Sequence, residues 1–82
     1  MTAATLIELI DTYVPGWEVV RLEVTDGETY VTKKLGVITA ALVMGNEDVD
    51  AHINVTWSGT TATVNYASQT DKDVTLWLFG RP

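Results

Sequence analysis

Side chains able to do chemistry are sparse in this 82-residue chain, and their spacing points in few directions. His52 is its one histidine, so it is the one base of the usual neutral-pH kind. It sits in an alternating run on the same face as Asn54 and Asn65, which reads as the polar surface of a hairpin rather than a proton-transfer site. Ser58 and Ser68 lie in turn-rich stretches without the Gly-x-Ser-x-Gly elbow that exposes a nucleophile. Oxygen ligands cluster twice, as Glu47, Asp48 and Asp50 and as Asp71 and Asp73, and such clusters can hold Ca²⁺. The spacing departs from that of an EF-hand loop, so both are read as solvated acidic loops. Asn54-Val55-Thr56 matches a glycosylation sequon but falls mid-strand.

The absence of cysteine excludes disulfides, thiolate catalysis and cysteine-based metal sites, and a lone histidine excludes a histidine-pair site. No catalytic residue, metal ligand or cofactor is therefore expected, and an enzyme is the least favoured class. Eleven acidic against five basic residues give a net charge of −6. That balance opposes nucleic acid or an anionic membrane as partner, since both need a cationic face. No apolar run is long enough to span a bilayer. Met1 to Ile10 lacks a basic n-region and contains Glu8, so it is not read as a signal peptide.

The elements that would position these residues are mostly strands. Thirteen threonines and eleven valines favour pleated surfaces. Val20, Leu22 and Val24 alternate with polar residues up to Asp26-Gly27, a hairpin signal that would pair Val24 with Thr29, Leu22 with Val31 and Val20 with Lys33. Residues 35–44 are apolar on both faces, so the strand is either central in its sheet or meets another chain on one face. Ala51, Ile53, Val55 and Trp57 alternate with polar residues and face Ala62, Val64 and Tyr66 across Ser58-Gly59. That hairpin pairs Val55 with Ala62, Ile53 with Val64 and Ala51 with Tyr66, and makes core the default for Trp57 and Tyr66. The last strand, 73–79, carries Val74, Leu76 and Leu78 on one face and Trp77 and Phe79 on the other. The exception to β patterning is residues 3–14. There Leu6, Ile7, Leu9, Ile10, Tyr13 and Val14 form a helical stripe, Thr5 and Glu8 suit a capping box, and Pro15-Gly16 stops it.

The expected fold is thus mainly β: one domain over 1–82, a small antiparallel β-sandwich or barrel of about six strands over 17–82, with a short N-terminal helix or arm over 1–16. A chain this short buries only about 60–65% of its unfolded surface, so its core is thin and oligomerisation is a common remedy. Trp77 and Phe79 lie opposite the core-facing row and need a cover, either the N-terminal helix or a neighbouring chain. Leu6, Ile10, Tyr13, Trp17, Trp77 and Phe79 are the candidate interface residues. A second reading, a ligand- or glycan-binding module, would use the His52/Asn54/Asn65 face and nearby aromatics.

The run Leu35 to Val43, the hairpin Val55 to Asn65 and the closing Asp73 to Arg81 resemble small virion proteins of tailed bacteriophages. In those a Thr/Val-rich run, a W-S-G-T-T-x-T-V hairpin and a terminal V-T-L-x-x-x-G-R recur. The resemblance covers residues 35–81 and leaves the N-terminal third unmatched. It implies a non-enzymatic structural protein of the virion, such as a capsid decoration or cement protein, assembled in the host cytoplasm. Its implied partners are itself, as a homo-oligomer such as a trimer, and a larger shell protein such as a major capsid protein.

Overall fold

The computed structural model of the chain describes residues 2–11 and 15–82. They form seven strands: β1 Thr5–Asp11, β2 Trp17–Val24, β3 Thr29–Val31, β4 Val37–Gly45, β5 Ile53–Ser58, β6 Thr61–Tyr66 and β7 Lys72–Arg81. A four-stranded antiparallel sheet has the order β1-β2-β7-β4, and a three-stranded one the order β3-β6-β5. Among the described residues there is no helix, hence none long and apolar enough to cross a membrane.

The helix expected over 3–14 is a strand, and the reason lies in its bulges. β1 pairs with β2 through Leu6↔Leu22 and Leu9↔Val20, with register shifts between Leu6 and Glu8 and between Leu9 and Asp11. An extra residue in the first bulge lets Leu6 and Leu9, three apart, face residues only two apart on β2. The i, i+3 spacing of a helix is thereby met by a bulged strand, which also suits β-branched Thr5, Ile7 and Ile10. Tyr13 and Val14, the end of the expected helix, lie outside the described residues.

The Asp26-Gly27 hairpin is also corrected. Both flanks of β2 are taken, by β1 and by β7, so β3 pairs instead with β6 in the other sheet. The turn still forms, with Glu28 N donating to the Thr25 carbonyl at 2.9 Å and Gly27 at φ +87°. It is spent on a crossing between sheets: Gly27 N donates to the Val64 carbonyl, and Tyr66 N donates to Asp26 Oδ1, each at 2.9 Å.

The β5–β6 hairpin forms where expected, two residues out of the expected register. Ile53 pairs with Tyr66, Val55 with Val64 and Trp57 with Ala62, so the loop is Gly59-Thr60. Gly59 at φ +61° occupies the first loop position, which in a type II′ turn must be left-handed.

Side chains from both sheets meet in one cluster: Val20, Leu22 and Val24 of β2, Val74, Leu76 and Leu78 of β7, Ala62, Val64 and Tyr66 of β6, with Tyr30, Leu35 and Ile38. Each Val or Leu so buried stabilises by about 1.5–3 kcal/mol. At the end of this row stands Glu18, fully buried opposite Leu78. Its carboxyl oxygens accept from the hydroxyls of Tyr30 and Thr32 and from Lys33 N at 3.2 Å, so both buried oxygens are hydrogen-bonded. Thr32 Oγ1 in turn accepts from Leu35 N at 3.0 Å, and Gly36 N donates to the Arg81 carbonyl at 2.6 Å. These bonds fix where β4 begins against β7.

Candidate functional site

The register of the four-stranded sheet lays out its outer face as a grid. Across β2, β7 and β4 the rows read Trp17–Phe79–Ala40, Val19–Trp77–Leu42 and Arg21–Thr75–Met44, with Glu23 beside Asp73 in a fourth. Directly opposed residues share a face, so one half of this surface is apolar and the other polar.

The polar half is internally satisfied. Arg21 Nε donates to both Asp73 carboxylate oxygens at 3.0 and 2.9 Å, and Nη2 to Oδ2 at 2.6 Å. Glu8 lies 3.9 Å from the same guanidinium. Asn46 Nδ2 donates to Asp73 Oδ1 at 3.0 Å and to Thr75 Oγ1 at 2.8 Å. The Arg21 hydrogen bonds, then Asn46, hold the Asp73 carboxyl below its ordinary range; Asp73 in return raises Arg21 further. Glu47, from the acidic loop read as a solvated cluster, accepts from Asp73 N at 2.8 Å and lies 3.9 Å from Lys72 Nζ. Among the described residues, no three acidic or histidine side chains are placed to hold a metal ion.

The apolar half has no such satisfaction. Trp17 and Phe79 pack edge to face, with centroids 5.4 Å apart at 86°. Trp77 lies between Val19 and Leu42 and is half-buried. Around them Trp17 is 44% exposed, Leu42 61% and Met44 51%. At about 200 Å² per large side chain, those three alone leave roughly 300 Å² of apolar surface in water, in the range of the largest patch on a typical monomer.

Of the six residues expected at an interface, the fold brings Trp17, Trp77 and Phe79 together on this face. Leu6 is exposed but pairs with Leu22, on the opposite side of the sheet; Ile10 is exposed at a bulge of β1; Tyr13 lies outside the described residues. Leu42 and Met44 complete the patch. Their signal was the second apolar face of residues 35–44, because β4 is an edge strand and β7 the central one. Trp57, expected in the core, is 41% exposed, since it lies one residue before the end of the edge strand β5, beside the turn.

The His52 face offers little to a ligand. Asn65 Nδ2 donates to Asn54 Oδ1 at 3.0 Å, and Asn54 Nδ2 lies 3.2 Å from His52 Nε2, so the three side chains bond one another. A shallow cleft of about 260 Å³ opens between β4 and β5, lined by Ala41, Leu42, Val43, Ile53, Asn54 and Val55. None of these side chains titrates. No protein-family model, curated protein or solved structure matches the chain.

Proposed function

We propose that this chain is a non-enzymatic assembly protein built on a small β-sandwich, acting through protein–protein contacts on the outer face of its four-stranded sheet. The reading extends to a virion component of the capsid decoration type, associating with copies of itself and with a larger shell; its support there is the resemblance of residues 35–81. The observation that carries the reading is the apolar half of that face, where Trp17, Leu42 and Met44 stand in water around Trp77 and Phe79. Aromatic side chains with Leu42 at the centre, and Met44 at the border with the Arg21 row, are the composition of an interface centre. The polar half, with its satisfied Arg21–Asp73 pair, suits a rim.

The test is Trp77→Ser beside the wild type, by size-exclusion chromatography with far-ultraviolet circular dichroism. The expected outcome is an associating wild type and a monomeric variant that keeps its β spectrum. Unfolding of the variant would mean that Trp77 serves the core, and an unchanged elution would mean that this face is not the contact.

A further inference from the structure

Four strands end a sheet, and β4 is the least protected of them. β3 has three residues, β5 has six, and β1 is interrupted by two bulges and carries Glu8; β4 has nine, with neither charge nor proline, and its single bulge, at Thr39 near its start, leaves Ala40 to Gly45 in unbroken register. Edge strands are ordinarily short, charged, bulged or covered, because their free N–H and C=O groups pair with any matching chain. Among the described residues, β4 is tied on its free side at its start alone, where Ile38 N donates to the Gly59 carbonyl at 2.8 Å. Beyond that β5 comes near without pairing, leaving the cleft already described.

We infer that the free edge of β4 is the pairing site of a second copy, antiparallel and related by a two-fold axis at Leu42. The inference rests on the self-assembly reading above. About that axis Leu42 faces its own equivalent, Ala40 faces the partner's Met44 on the outer face, and Ala41 faces the partner's Val43 on the inner. The most exposed large apolar side chain of the sheet thus lies at the centre of the contact.

Charge favours the same alignment. The start of β4 follows Lys33 and Lys34 and pairs with Arg81, which together are three of the five cations of the chain. Its end runs into Glu47, Asp48 and Asp50. Antiparallel pairing sets each basic end beside the other copy's acidic end, which offsets the repulsion between two chains of net charge −6. Two four-stranded sheets become one of eight, and Leu42, which flanks Trp77 in the outer-face row, brings the two apolar patches together about the axis, so that loss of Trp77 weakens the same contact. Such a contact is isologous and closes as a dimer rather than a trimer. It is smaller than a standard interface, so association is reversible and depends on concentration.

Mild oxidation of Leu42→Cys tests it, since the chain has no other cysteine. Opposed residues in an antiparallel pair lie about 4.5–5.5 Å apart at Cα, within disulfide reach. Leu42→Cys is expected to give several-fold more covalent dimer than Val31→Cys, placed on the edge strand β3. Added salt is expected to weaken the wild-type dimer, and Asp48→Lys with Asp50→Lys to weaken it about tenfold. If the wild type associates but Leu42→Cys links no better than Val31→Cys, the edge pairing is wrong and self-assembly stands. Stronger linking through Trp77→Cys would overturn it in favour of face-to-face stacking. A wild type that never associates removes both.

Discussion

Strand β7 carries two rows of large apolar side chains, and the fold treats them oppositely. Val74, Leu76 and Leu78 point between the sheets and are fully buried; Trp77 and Phe79, in the intervening positions, lie on the outer face among Trp17, Leu42 and Met44. The backbone is the same, and so is the hydrophobicity. The difference is that, among the described residues, three strands are left to cover the four-stranded sheet, and they cover one side. Apolar surface on the covered side holds the monomer together, whereas apolar surface on the other side lowers free energy only when something else arrives.

That contrast can be broken at its strong side first. Leu76→Ala removes a fully buried side chain from the cluster and is expected to cost about 2–5 kcal/mol of stability in a urea melt. A loss below about 1 kcal/mol would mean the two faces are not so different. Next in size is Gly80→Ala. A Cβ there would strike the Val37 carbonyl, which is backbone at the start of β4 and has little room to yield. The expected cost is about 1–3 kcal/mol, with β4 the strand whose amide exchange accelerates most.

The polar rim should register in pH. Asp73 has a depressed folded value, so its contribution is complete above the ordinary carboxylate range near pH 4 and is lost as pH falls through the folded value. Asp73→Asn should therefore be less stable than wild type at pH 7, and the difference should shrink on acidification. A constant difference from pH 7 to pH 2 would show that the loss is not electrostatic. The smallest effect on folding is expected at Leu42→Lys, within about 0.5 kcal/mol of wild type because the side chain is already in water. Its effect on association should be the reverse, a return to monomer at every concentration tested.

Much of this division was readable from residue order. The two rows of β7, with Trp77 and Phe79 opposite Val74, Leu76 and Leu78, and the two-faced run that becomes β4 follow from alternation alone, whereas Trp17 joins Trp77 and Phe79 only through the pairing of β2 with β7. What alternation could not supply is any property unchanged by a shift of two residues. The β5–β6 hairpin keeps the same faces whether its loop is Ser58-Gly59 or Gly59-Thr60, and the choice falls to which loop position takes the positive φ of Gly59. β1 was illegible for the opposite reason: its bulges change the period, and a strand with two inserted residues imitates a helix. The pairing of β3 with β6 and the anchoring of the 32–35 loop on buried Glu18 depend on distant partners, which no local pattern announces.

The account stands most directly on the solution mass of the wild-type protein, measured by light scattering over a concentration series. It predicts a mass that rises above the 9.0 kDa of one chain as concentration increases and levels at a small closed oligomer. A mass fixed at 9.0 kDa up to millimolar protein would contradict it, because the apolar half of the outer face would then be at rest in water.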